Sequence, residues 1–257
     1  MSPTSSLASA QVAPGVYRLG DQVANFYLVD DPEGLVLVDA GLPTHYGQLA
    51  EALRALGRTI GEVRAILITH AHIDHLGVAE RVRAESDATV YAHAADAVAL
   101  AAPRKSFTAS PPERSMLPYL LRRPSALSGP LHLATHGAFR TPGVEKVTSL
   151  QPGTPLDVPG APTAVAVPGH TPGSVAYLFP HKGIAFTGDA LVTSDALVRG
   201  SGPRLLARGF THDSAQALAS LDALAERDVP LMLPGHGEPY GKGLGNAVAE
   251  ARLVGVR

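Results

Sequence analysis

Residues 69–77 read Thr-His-Ala-His-Ile-Asp-His-Leu-Gly, and the reading of this stretch decides both fold and chemistry. It closes an apolar run, Val63 to Ile68, that has the composition of a buried strand. His70 ends that strand. His72 lies two residues on, so in extended backbone both imidazoles point the same way. Asp74 and His75 fall where the chain is expected to turn into a helix over 75–85. Asp74 suits the N-cap there, because free backbone N–H groups and the helix dipole favour a carboxylate. Four ligand-type side chains are thus aimed into one volume, and neutral imidazole with carboxylate suits zinc, iron or manganese. With 11 histidines in 257 residues, a chance match to this spacing is on the order of one in a thousand.

Three further positions point the same way. His170 lies in Val-Pro-Gly-His (167–170), Asp189 in Phe-Thr-Gly-Asp (186–189) and His236 in Leu-Pro-Gly-His (233–236). Each follows an expected strand, and each has glycine immediately before it. Glycine permits a sharp turn and a close backbone approach. Any one of these residues alone reads as structural. Together they present ligand-type groups from several strand ends, where binding sites usually form.

The remaining chain alternates short β-branched runs with amphipathic stretches. GVYRLG, NFYLVDD and LVLVDAG (15–41) read as three successive strands, and residues 45–58 as a helix with Leu49, Leu53 and Leu56 on one face. Three strands are expected within 163–190, an amphipathic helix over 214–227, a last strand at 230–237 and a closing helix from 245. Strands therefore come in two groups, each followed by helices, which predicts two sheets packed face to face with helices outside. Residues 1–12 are expected to form a disordered tail and 13–257 a single domain, interrupted by a Pro-, Ser- and Arg-rich insertion at about 102–150.

Composition narrows the class. The chain has no cysteine, which excludes disulfides, thiolate catalysis and cysteine-ligated metal. Charged residues are 17% and the net charge is −2, which offers no basis for nucleic-acid binding. No apolar run is long enough for a transmembrane segment and the N-terminus lacks signal-peptide character, so a cytoplasmic location is expected.

The succession HAHIDHLG, PGHTPGS, GDA and PGHG resembles the metallo-β-lactamase superfamily, particularly its glyoxalase II and lactonase-like branches, over about residues 15–240. The resemblance implies a four-layer αβ/βα sandwich, an α/β fold. It implies a binuclear metal site in which His70, His72 and His170 bind one ion, Asp74, His75 and His236 bind the second, and Asp189 bridges them. Asp39, in Leu-Val-Asp-Ala-Gly (37–41), would sit behind the ligands and orient them. Two divalent ions, Zn2+ first with Fe or Mn as alternatives, would lower the pKa of a shared water to about 7. A metal-bridging hydroxide could then cleave an ester, lactone or thioester of a small-molecule substrate, with Asp74 as the catalytic proton carrier.

Departures from the family's patterns refine this. With no cysteine ligand, and Asp189 at the bridging position, β-lactamase activity is not expected. The glutathione-gripping basic pair of glyoxalase II is not matched by Lys242, Arg252 and Arg257. The tyrosine that lactonases carry after the bridging aspartate is absent from Ala-Leu-Val-Thr-Ser-Asp (190–195). The alternative activities are a mononuclear iron sulfur dioxygenase of the same fold and a phosphoester hydrolase. The insertion carries seven basic residues against Glu113 and Glu145. As a lid, its apolar part (Met116, Leu117, Tyr119, Leu120, Leu121) would line a pocket, and Arg122, Arg123 and Tyr119 would bind an anionic substrate. Its other readings are a membrane-surface contact or a homodimer interface. His93 reads as a strand-end residue near the site, and His45, His132, His136, His181 and His212 have no partner motif and read as surface or structural residues.

Overall fold

The strand segments are nearly continuous in apolar residues because both of their faces are covered. In the computed structural model of the chain, residues 10–257 are described. A seven-stranded sheet runs in the order β1 (Gln11–Ala13), β2 (Val16–Gly20), β3 (Asn25–Asp31), β4 (Gly34–Val38), β5 (Val63–Leu67), β6 (Thr89–Ala92), β7 (Thr148–Ser149). Its first four strands form an antiparallel meander, and β4 through β7 pair in parallel. A four-stranded sheet has the order β11 (Leu231–Pro234), β10 (Ile184–Gly188), β9 (Val175–Phe179), β8 (Thr163–Ala166). Only its β10–β11 pair is parallel.

Side chains alternate between two cores along each strand, as the period of a strand requires. Tyr27, Val29, Val36 and Val38 face Tyr177, Phe179, Ile184 and Phe186 between the sheets. Phe26, Leu28, Leu35 and Leu37 turn outward and pack under α1 (Tyr46–Ala55), α2 (Ala79–Ser86) and α3 (Ala97–Ala101). α4 (Ser106–Ala109), α5 (Leu117–Arg122) and α6 (Ser128–Thr135) lie in the insertion. α7 (Ser214–Ser220), α8 (Asp222–Ala225) and α9 (Leu244–Val254) cover the second sheet, with Ala217, Leu221, Leu224, Ala247 and Val248 over Leu178, Ala185 and Met232. The result is the αβ/βα sandwich expected. No helix among the described residues is long and apolar enough to cross a membrane.

Two expectations are corrected. Residues 1–9 of the anticipated tail lie outside the described residues, but Gln11–Ala13 form β1, because Gly15 adopts φ 68° and lets Ala13 pair back on Val16. The helix expected from residue 75 begins at Ala79, so Asp74 is not its N-cap. The backbone of His75, Gly77 and Val78 bonds to Ala40 and Gly41 instead, which spends those groups before a helix can start. The insertion is mainly short helices, and it ends in β7, which joins the sheet beside β6.

The inter-sheet core is aromatic. The Phe186 ring sits 5.1 Å from Tyr27 and 5.3 Å from Phe179, both edge-on, a geometry worth about 0.5–1.5 kcal/mol per pair beyond area burial. Phe186 lies three residues before Asp189, so this packing sets where Asp189 stands. Phe186→Ala should cost about 3–5 kcal/mol in urea unfolding of the metal-stripped protein. A loss below about 1 kcal/mol would show that the two sheets are not held by this cluster.

Candidate metal centre

Every candidate ligand stands at one edge of the sandwich. β5 leads to His70, the turn after β8 carries His170, β10 leads to Asp189, and β11 leads to His236. Backbone bonds tie these loops together: Val175 donates to Thr69 O, Gly235 to Gly188 O, and Asn25 to Gly235 O. Tyr177, buried between the sheets, donates its hydroxyl to Ile68 O at 2.9 Å. Two glycines are required by close approach. A Cβ on Gly188 (φ +49°) would stand 2.4 Å from Thr69 Oγ1, and one on Gly235 only 2.2 Å from Asp189 Oδ1.

The seven predicted residues come together in two groups. His70 Nε2 lies 3.1 Å from His72 Nδ1 and 3.2 Å from His170 Nε2, and the latter two are 2.9 Å apart. Asp189 Oδ2 is 3.7 Å from His70 and 3.4 Å from His170. The second group joins Asp74, His75 and His236. His236 Nε2 is 3.6 Å from Asp74 Oδ2 and 2.9 Å from Asp189 Oδ2, and His75 Nε2 is 3.5 Å from Asp189 Oδ1. Asp189 therefore touches both groups.

The tautomers can be worked out from the partners behind the rings. The Thr69 hydroxyl donates to Asp39, so it must accept from His70 Nδ1–H, which leaves the lone pair on Nε2. His75 Nδ1 donates to Asp39 Oδ2 at 2.9 Å, and His236 Nδ1 donates to Val23 O. Both rings thus turn Nε2 inward. Asp39 also accepts from Thr69 N–H at 2.8 Å, and it holds the left-handed φ of 59° that aspartate tolerates better than most residues.

Charges separate the two groups. Burial pushes His70, His72 and His170 below the ordinary histidine range, with the charge of His75 adding to the effect at His70. Burial also opposes charge on His75 and His236, but Asp189, Asp39 and Asp74 outweigh it at His75, and Asp189 and Asp74 hold His236 up at about 9. Asp189 is itself kept well below the carboxylate range: burial works the other way but loses to His236, His75 and His70. The buried atoms His72 Nε2, His75 Nε2, His170 Nδ1 and Asp189 Oδ1 have no hydrogen-bond partner. Converging nitrogens, a carboxylate between the groups, and the inward-facing His75 Nε2 and Asp189 Oδ1 left without partners fit divalent metal ions.

A cavity of about 590 Å³ opens on this centre. Val23, Ile73, Phe107, Met116, Leu133, Phe139 and Phe210 line it with His72, Asp74, His170, Asp189 and His236. Phe107 stacks on His72 with centroids 5.1 Å apart. The substrate residues expected from sequence divide. Arg123 lines the cavity, and its Nη1 donates to Ala196 O and Val198 O. Arg122 and Tyr119 face a neighbouring basic pocket instead, because α5 packs Tyr119 against Leu197 and Ala207. Of the expected apolar lining only Met116 reaches the cavity; Leu117 and Leu121 are exposed.

Several organising residues escaped the sequence reading. Asp96 is buried between α3 and the ligand loops, accepting from Ala71 N–H, the Thr171 hydroxyl and Gly173 N–H, and so joins the His72 loop to the His170 loop. Its one signal is position, directly after β6. Asn25 and Tyr27 donate to Pro234 O and fix the turn before His236. His45, His132 and His136 gather around Asp21; the four-residue spacing of His132 and His136 on a helix was the available signal.

The profile of the Metallo-beta-lactamase superfamily matches residues 19–236. The chain belongs to this superfamily and is a metallo-hydrolase of it. It is 27% identical to the probable metallo-hydrolase YflN of Bacillus subtilis over 257 aligned positions, spanning 90% of this chain and 87% of that protein. The structure of TTHA1623 in a di-iron-bound form superposes with a TM-score of 0.59 at 28% identity, covering 89% of this chain and 95% of the other. A metallo-beta-lactamase family protein of Thermus thermophilus, TTHA1429, shares the fold at a TM-score of 0.65 and 24% identity, over 93% of this chain and 79% of that one.

The charge separation predicts a pH signature for metal uptake. Protons compete with a metal for His236, held at about 9, so affinity at that group should rise up to tenfold per pH unit from pH 6 to 8.5. The His70, His72 and His170 group, already neutral, should bind with a flatter profile. Chelator competition across this range measures both; equal slopes for successive equivalents would contradict the assignment.

Proposed function

We propose that the chain is a binuclear hydrolase of an ester, lactone or thioester with an apolar acyl part. The observation that carries this reading is Asp189, whose two oxygens lie within 2.9–3.7 Å of His70, His75, His170 and His236. A carboxylate in that position suits a pair of ions better than one. The di-iron form described for TTHA1623 supports two ions, and the name of YflN supports hydrolysis. His70, His72 and His170 would hold one ion, Asp74, His75 and His236 the other, with Asp189 between; zinc and iron both suit these donors. Bound ions would supply Lewis acidity toward the scissile carbonyl and acidify a bound water.

The chain's own residues do the rest. Phe107, Met116, Leu133 and Phe139 enclose the acyl group and exclude bulk water. Asp74, 11% exposed and on the cavity wall, is free of hydrogen-bonded partners that would block it. It takes the proton of the attacking water and passes it to the leaving oxygen or sulfur as the acyl bond breaks. Asp39 and Thr69 keep the histidine rings turned inward throughout. Arg123, the cation on the cavity wall, offers its remaining N–H groups to an anionic substituent of the substrate.

Asp189→Ala should leave at most one tightly held ion and lower kcat/KM by roughly 10²–10³-fold; full activity with two ions retained would defeat the assignment. Metal analysis with a screen of lactones, thioesters and phosphoesters tests the activity itself. One iron per chain with oxygen consumption would instead favour the sulfur dioxygenase. For substrate charge, Arg123→Ala should raise KM for a carboxylate-bearing ester about tenfold relative to its neutral analogue. An unchanged ratio would remove Arg123 from recognition.

A further inference from the structure

A second set of ligating side chains stands at the rim of the cavity. His132 and His136 lie four residues apart, on α6 and the residue that caps it, and so share one face. Their rings are stacked, with centroids 3.8 Å apart and planes 15° from parallel. Asp21 reaches them from the turn between β2 and β3, placing Oδ2 2.6 Å from His132 Nε2. One ligand atom from each of the three lies within 4.8 Å of the others.

The donors are oriented by their neighbours. Asp21 Oδ1 accepts from Val23 N–H at 2.7 Å and Ala24 N–H at 3.1 Å. Oδ2 accepts from His45 Nε2–H at 3.0 Å, and that tautomer is set because His45 Nδ1 accepts from Leu42 N–H. His136 Nδ1 lies 2.9 Å from the His132 carbonyl, so it carries the proton and Nε2 keeps its lone pair. A carboxylate backed by a buried histidine, beside two imidazoles at helical spacing, has the make-up of a metal site with its supporting partner. An ion pair with Asp21 and the stack with His136 hold the cluster in the absence of an ion; taking one up requires the two rings to turn out of the stack so that both lone pairs meet it. All three groups are half-buried, which leaves room for water to complete the coordination.

We propose that Asp21, His132 and His136 form a further cation site, separate from the metal centre, that takes a divalent transition ion such as zinc. The ion fastens α6 to the β2–β3 turn across the mouth of the cavity. Gln22 and Val23, just after Asp21, line one wall, and Ser128, Gly129, Pro130 and Leu133 of α6 line the other. Val23 O also receives the His236 proton. Binding at the rim therefore secures the cap and the backbone behind a residue of the metal centre at once.

The test is equilibrium dialysis of untagged protein against a zinc series, read by metal analysis. Wild type should hold one equivalent more than His136→Gln, a variant that keeps the Asp21–His132–His45 contacts and hence the fold. His132→Gln should lose the same equivalent. The reading is a difference, so it stands whatever number the metal centre holds. In wild type the extra equivalent should also slow limited proteolysis within residues 103–140 several-fold, and in His136→Gln it should not. Equal zinc content in wild type and both variants would reduce the cluster to an ion pair and overturn the proposal, as would a protection that survives His136→Gln.

Discussion

Three imidazole nitrogens held 2.9–3.2 Å apart in a buried space are the constraint on which the rest of the site depends. Burial keeps His70, His72 and His170 from taking up protons, so three neutral imidazoles crowd their inward nitrogens into one small volume. Of the three rings, His70 is held from behind by a hydrogen bond and His72 by its stack on Phe107, while the outward nitrogens of His72 and His170 have no polar partner. The Asp39 carboxylate supplies much of the lock: it fixes Thr69, which sets the His70 tautomer, and it holds His75 directly. A metal ion would use the converging nitrogens as its ligands.

Asp189 divides the labour between the two halves of the centre. Its charge is buried, and in the absence of cations it is balanced by His75 and His236, which it holds protonated. One group of ligands is therefore ready as neutral donors, while the other must shed protons to bind. The same sheet edge thus builds two groups of histidines of unlike proton affinity from similar side chains. The cause lies in which rings face carboxylates and which face only each other.

The layered fold and the seven residues of the centre were legible in the sequence because each rests on a local rule. Apolar runs with glycine at their ends mark buried strands, and ligand-type residues just beyond them mark one edge. What could not be read was set by contacts distant in sequence. Asp96 looks like an ordinary helix-start residue until Ala71, Thr171 and Gly173 are seen to donate to it. The late start of α2 follows from backbone bonds to Ala40 and Gly41, partners nearly forty residues earlier that no local signal reveals. The insertion misled most. Its arginines and leucines read as one lid surface, but α5 is short and packs on only one side. Met116 and Arg123 therefore reach the cavity, while Leu117 and Leu121 face solvent and Arg122 faces another pocket.

The placement of the insertion matters for substrate selection. The ligands come from strand-end loops tied by backbone bonds between the two sheets, so the centre has little freedom to adapt to different substrates. The cavity's far wall comes from α4 through α6, which are short, joined by proline-containing turns and attached to the sandwich through polar links. Among these links are Glu113 to Ser214, His212 to Pro111 O, and Asp21 to His132. Such short helices are where stability is locally lowest. A ligand edge tied by backbone bonds facing an apolar wall built from short helices separates two demands on a hydrolase: the edge fixes the reactive groups, and the insertion shapes the space in front of them.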